Sequence, residues 1–213
     1  MSALRVVLIA EGAGEVRPDP LRGPNSPVHS EGWGPGHVLF ARAIELRRSV
    51  PRAALQFIEP LRTARAKVAR GSQLLHRKTL RGLLNYLPAD RPDLIIVLVD
   101  ADGESTRKRD LEAMVHDMPG SRMIVVAIQE FEAWLVADAK ALAAVLRAPA
   151  SRAPQRPEEL EPTQAKGLLQ DLSAGVDPRQ ARMSLAETID FAQVAQRCPA
   201  FDACLRELQS LTL

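Results

Sequence analysis

The sequence predicts an α/β fold: a four-stranded parallel sheet flanked by helices, with a small helical extension at the C-terminal end. Three observations predict it. Strand-length apolar runs alternate with helix-length runs four times, the pattern of parallel strands joined by right-handed crossovers. The first run, Arg5–Ala10, is fully apolar after its first residue, as expected where both sheet faces are covered. Three of them end in acid: Leu4–Ala10 leads into Glu11 and Glu15, Leu94–Val99 into Asp100 and Asp102, and Met123–Ile128 into Glu130 and Glu132. Ligands of open parallel sheets bind outside the carboxyl ends of the strands, so acids placed there by several strands would converge.

The elements follow in order. Arg5–Ala10 is the first strand, apolar and β-branched after its first residue. Residues 12–36 are crowded with Gly and Pro and read as one long loop, a common carrier of function. His37–Arg48 has the helical spacing of Val38, Leu39, Ala41, Ile44 and Leu46, and stops before Pro51. Ala54–Ile58 is a second short strand. Leu61–Leu87 reads as helix, interrupted or kinked near Gly71. Asp93–Val99 is the clearest strand. Thr106–Asp117 is an amphipathic helix with Leu111, Met114 and Val115 on one side, and Met123–Ile128 is the fourth strand. Glu130–Leu146 reads as one helix with Phe131, Trp134, Leu135, Leu142 and Val145 as its stripe.

The character changes after Leu146. Ala148–Pro162 holds prolines and mixed charges and reads as a linker or loop, and helices are expected over Gln164–Leu172, about Pro178–Ile189, and Ala200–Leu211. The α/β domain is therefore expected over residues 1–147, with 148–213 as a linker and a helical extension packed on it.

Composition narrows the function classes. A chain of 213 residues with 46% hydrophobic and 25% charged residues can bury a core of its own. Aromatics at 4% disfavour a base-stacking platform, and a net charge of +2 leaves any nucleic-acid affinity to a local patch. Cys198 and Cys204 fit neither a zinc spacing nor a disulfide framework, so reduced thiols in a cytoplasmic protein are the simplest reading. Met1–Arg5 does not read as a signal peptide, and no run approaches the roughly 18 apolar residues of a membrane helix. The histidines are scattered, and there is no Walker lysine loop and no Gly-x-Ser-x-Gly elbow.

The acids carry the chemical argument. Asp100 and Asp102 are two apart, and in an extended segment both side chains point the same way. Two like charges on one side repel unless a proton or a cation neutralises them, and Mg²⁺ takes oxygen ligands. Asp-Ala-Asp-Gly is equally a turn sequence. Glu11 directly follows a buried strand, where a dinucleotide-binding fold would place its first glycine; Arg17 stands where the third glycine belongs. Glu130 and Glu132 suit the first turn of a helix electrostatically, and on a helix they would face apart, so at most one of them joins a site. Pro60–Ala89 has no acid and holds Arg70, Arg77, Lys78 and Arg81, with Arg62, Arg65 and Lys67 before them. Arg107 and Lys108 follow the Asp pair. These cations suit contact with nucleic-acid phosphates, or a solvated helix face.

Taken together, Glu-Gly-x-x-Glu after the first strand and Asp-x-Asp-Gly after the third resemble the Toprim domain of topoisomerases, primases and overcoming-lysogenization-defect nucleases. A closer resemblance is to a bacterial domain of unknown function, family 4276. It rests on the Glu-Gly opening, on Asp-x-Asp-Gly, and above all on Glu130-Phe131-Glu132-Ala133-Trp134-Leu135 with Ala137-Asp138 beyond. Pro157-Glu158…Lys166 and Ala200-Phe201 match more weakly. The Toprim likeness implies a four-stranded parallel sheet and Mg²⁺- or Mn²⁺-dependent phosphodiester chemistry, with DNA as the favoured substrate. Carried over by residue, Glu11 would be a metal ligand or general acid/base, Asp100 and Asp102 the metal ligands and Glu15 a second-metal ligand; beside that likeness, Glu130 is a further candidate ligand. Tyr86, the sole tyrosine, is patterned for a helix interior, which disfavours a topoisomerase mechanism. The family likeness also implies an ATPase partner in anti-phage defence, with a non-catalytic subunit role as the rival reading.

Overall fold

The structure, a computed structural model, describes residues 3–16, 27–58, 71–85, 92–118 and 120–212. It is α/β: a four-stranded parallel sheet flanked by helices, followed by C-terminal helices. The strands are β1 (Leu4–Ala10), β2 (Leu55–Ile58), β3 (Leu94–Asp100) and β4 (Arg122–Ala127), in the order β2-β1-β3-β4. β1 runs parallel to β2, with Val6 opposite Phe57, and parallel to β3, with Leu8 opposite Ile96. The helices are α1 (Ala13–Val16), α2 (Pro35–Arg48), α3 (Arg77–Asn85), α4 (Arg107–Val115), α5 (Glu132–Leu135), α6 (Ala139–Leu146), α7 (Gln164–Leu172), α8 (Pro178–Thr188), α9 (Phe191–Arg197) and α10 (Pro199–Ser210).

The chain divides into two compact units. The first comprises residues 1–99, 106–125 and 208–213, and the second residues 100–105 and 126–207. In the first, Val6–Ala10 of β1 are buried because the strand is central, as its unbroken apolar run requires. Phe57 of β2 is enclosed by the edges of Trp33 and His37, with ring centroids 5.2 and 4.8 Å away. α2 buries Val38, Leu39, Phe40, Ala41 and Ile44. In the second unit, Trp134, Phe131, Phe191 and Phe201 form a chain of ring contacts at 5.1–6.0 Å. α5 packs against α7 and α8, and α6 against α8.

Several expected elements are corrected. The loop expected at 12–36 opens with the helical turn α1, and Ser30–Gly32 forms a 3₁₀ turn. Glycine permits the first of these: a Cβ on Gly34 would lie 2.3 Å from the backbone oxygen of Glu15, so only glycine lets that turn sit against the start of α2. The helix expected over Glu130–Leu146 is two helices, because the Asp138 carboxylate accepts the N–H groups of Lys140 and Ala141 and starts α6 afresh. α9 was not expected at all. Asp190 caps it through the N–H of Ala192 at 2.8 Å. Of the helix expected over 61–87, residues 77–85 are helical, Gly71–Leu75 form a 3₁₀ turn, and residues 61–70, 86 and 87 lie outside the described residues. The expected linker carries two 3₁₀ turns, Ala150–Arg152 and Pro157–Glu159, and buries Ala153 and Pro157.

Candidate functional site

β3 ends at Asp100, and the next two turns of the second unit meet through backbone. The Ala101 N–H donates to Ala127 O at 2.8 Å, and the Asp102 N–H reaches Gln129 O at 3.4 Å. Asp102, Gly103 and Gln129 all adopt the left-handed region, with φ of 46°, 83° and 59°. Asp102 has therefore left the strand, so the expectation that Asp100 and Asp102 share a side by two-residue alternation does not hold. Alternation requires extended backbone, and the Asp-Gly turn ends it. Asp100 is instead tied to the other turn: its Oδ1 accepts the Phe131 N–H at 2.8 Å. Glu130, next in the chain, is 4% exposed, and its Oε2 accepts the Lys166 N–H at 2.9 Å. Burial pushes the Glu130 carboxyl above the usual range. The Lys166 N–H pulls it down, the Glu132 charge pushes it up, the Lys166 charge pulls down, and the Asp102 charge pushes up. Asp100, Asp102 and Glu130 are thus brought into one neighbourhood by two turns of the second unit.

The other acids of this unit hold helices. Lys166 is the third residue of α7, whose N-cap Thr163 gives no side-chain bond, so Glu130 satisfies an N–H that the helix leaves open. Glu132 is 1% exposed and pairs with Arg182 of α8 at 2.7 Å. Glu158 accepts from the Trp134 indole N–H at 2.9 Å and from the Ala200 N–H of α10 at 3.0 Å. The Asp138 carboxylate also takes the Asp190 N–H at 2.8 Å. Glu130 and Glu132 reach different helices, as their two-residue spacing leads one to expect.

Cys198 is buried. Desolvation, then the Glu158 charge, pushes its thiol well above the ordinary value, which removes it as a nucleophile near neutral pH.

A family model described as Domain of unknown function (DUF4276) matches residues 40–209. The chain belongs to that family. The DUF4276 match takes in the Asp100–Gly103 turn, the whole Glu130–Asp138 segment and Glu158, while Glu11 and Glu15 precede it. No curated protein and no solved structure matches the chain.

The remaining candidate residues of this DUF4276 protein lie in the first unit. Glu11 follows β1, and its N–H donates to Leu98 O at 2.9 Å. Glu15 is 8% exposed, with its carboxylate folded over Gly12, where a Cβ would meet Oε2 at 2.1 Å. Arg77 and Lys78 are exposed on α3. Arg81 is not a free cation: it binds both oxygens of Asp117 and donates to Met114 O at 2.9 Å, which fastens α3 to the end of α4. Arg107 and Lys108 open α4, where Lys108 lies 3.7 Å from Glu112. Arg70 lies outside the described residues.

Among the described residues, no three His, Cys, Asp or Glu side chains stand close enough to hold a metal ion by themselves. Mg²⁺ does not require three: it usually takes one or two carboxylates, several waters and substrate phosphate oxygens. By donor chemistry the acids of the two turns fit such an ion. Their carboxylates offer acceptor oxygens only, and Glu130 is buried beside like charges that a cation would relieve. Sequence reasoning missed Gln129, and it gave Asp138 and Glu158 a place in the family pattern but no role. For Gln129 the available signal was its place directly after the fourth apolar run.

Proposed function

We propose that this DUF4276 protein hydrolyses phosphodiester bonds of DNA with Mg²⁺ or Mn²⁺. The observation that carries the reading is the meeting of the two turns, which gathers Asp100, Asp102 and Glu130 at the ends of β3 and β4. The Toprim resemblance supports the same chemistry and extends it to Glu11. A divalent ion, when bound, lowers the pKa of water and neutralises charge developing on phosphate. The protein's own groups would do the rest. Asp100 and Asp102 would hold the ion. Asp100 also fixes the backbone of Phe131, because a carboxylate can accept at several positions. Water attacks phosphorus, the bond to one ester oxygen breaks, a carboxylate of the site takes the water's proton, and the leaving oxygen is protonated from solvent. Arg77, Lys78, Arg107 and Lys108 would bind phosphates of the strand, giving affinity that is independent of sequence and weakened by salt.

The test is nicking of supercoiled plasmid by purified protein in Mn²⁺ or Mg²⁺. The expected result is nicking by the parent and a loss of about a hundredfold or more in Asp100→Ala/Asp102→Ala, checked for folding by circular dichroism. Glu11→Gln should lose activity with it. No nicking by the parent overturns the proposal. A second reading, a non-catalytic subunit that partners an ATPase, is favoured by one observation: Glu130, Glu132, Asp138 and Glu158 each bind a C-terminal helix or its N-terminus. A parent that does not nick and whose melting temperature ignores Mn²⁺ would favour that reading.

A further inference from the structure

Gln129 breaks two rules at one position. Its φ of 59° is left-handed, a conformation natural to glycine and tolerated by Asp or Asn, whose short side chains bond locally; Gln has no such excuse. Its Oε1 is also buried and, among the described residues, accepts no hydrogen bond. A buried acceptor left open is disfavoured, and strained backbone persists chiefly where function selects it. The surroundings supply a reason. The Gln129 carbonyl faces the Asp102 N–H at 3.4 Å, Glu130 is its neighbour, and the next N–H, that of Phe131, is held by Asp100 Oδ1 at 2.8 Å. An ionised carboxylate is an acceptor only, so Asp100 and Asp102 in that form cannot satisfy Oε1. The small donor left for an open amide oxygen beside these two turns is water.

We propose that Gln129 is the water-positioning residue of this site, its Oε1 accepting one O–H of the attacking water while a carboxylate takes the other proton. This rests on the hydrolytic reading above. It departs from a structural role in a measurable way: a residue kept for packing stabilises the fold, whereas a residue kept for positioning water is held at the fold's expense.

The experiment compares the parent with Gln129→Gly and Gln129→Asn in Mn²⁺, measuring nicking rate at saturating plasmid, affinity for a fluorescein-labelled oligonucleotide in Ca²⁺, and melting temperature. Gln129→Gly should melt about 2–4 °C higher, because glycine adopts the left-handed turn without strain. It should nick about tenfold to a hundredfold more slowly, with oligonucleotide affinity unchanged. Gln129→Asn, which tolerates the turn and keeps a shorter amide, should fall between the two in rate. A glycine variant that melts lower, or that nicks like the parent, overturns the inference while leaving the hydrolytic reading intact. Lost affinity at unchanged saturated rate makes Gln129 a substrate contact and also overturns it. A parent that does not nick overturns both.

Discussion

Asp138 shows how much a single buried acid can organise. It is 2% exposed, yet its carboxylate accepts three backbone N–H groups: Lys140 and Ala141, which open α6, and Asp190, which precedes α9. In Asp138→Ala two open donors of α6 and one part-buried donor near α9 lose their acceptor together. A cap alone is worth about 0.5–2 kcal/mol and an orphaned buried donor about 1–3. The expected loss in urea unfolding is therefore about 2–4 kcal/mol. Asp138→Asn, which keeps one acceptor oxygen, should lose clearly less; equal losses would mean that the site tolerates no change of charge. Glu132 is a different case. Its pair with Arg182 is buried, so removing either partner alone strands a charge and destabilises strongly, while replacing both with apolar groups need not. Such roles are hard to see in sequence, since a carboxylate that seats a distant helix looks the same as one that holds a metal. The Glu-x-Glu-Ala-Trp-Leu segment was legible as special, but not as the place where the C-terminal helices are seated.

At the scale of elements, what could be read in the sequence was what local pattern controls. β1 and β3 are unbroken apolar runs, and the structure places both inside the sheet. α7 and α8 follow their periodicity, and α8 begins at Pro178 after the capping residue Asp177. What escaped was set by distant contacts. α1 depends on the close approach that Gly34 allows, and the break before α6 depends on Asp138. The two-residue alternation of Asp100 and Asp102 failed because the strand stops at Asp100, two residues before that argument needs. The basic stretch likewise divides on inspection. Arg81 is latched to Asp117, and that guanidinium holds the Asp117 carboxyl down at about 2. In Arg81→Ala the Asp117 titration midpoint, followed by carboxyl NMR, should return toward the ordinary aspartate value of about 3.9. Nucleic-acid affinity should respond differently to the two sets of cations. Arg77→Ala/Lys78→Ala should flatten the salt dependence of oligonucleotide binding by a slope of about 1–2, one phosphate contact per cation. Arg81→Ala should change that slope little, since its charge is already matched.

For the molecule as a whole, the acids whose titration is displaced pull stability in two directions. Glu130 and Glu158 are pushed up, in both cases first by burial. A carboxyl with a raised folded pKa favours folding most when protonated. Its contribution is fully present below the unfolded value of about 4.3 and is lost as pH rises through the folded value. Asp117, Asp110 and Asp190 are pulled down, respectively by the Arg81 hydrogen bond, the Thr106 hydroxyl and the Ala192 N–H. Their contribution is present above the unfolded aspartate value of about 3.9 and is lost as pH falls, for Asp117 through about 2. Among these five acids the two groups oppose each other at the acid end, and the buried glutamates set the direction above it. Thermal melts should therefore peak between the two unfolded values, at about pH 4, decline as pH rises above the unfolded glutamate value, and drop at lower pH. Glu158→Gln tests the cause. Glutamine cannot ionise, so the decline above the unfolded glutamate value should become shallower, even though one acceptor for Trp134 or Ala200 is lost and the whole curve moves down. A parent whose melting temperature climbs steadily from pH 5 to 8, or a Glu158→Gln curve that is lowered but parallel to it, would show that burial of these carboxylates does not set the pH response.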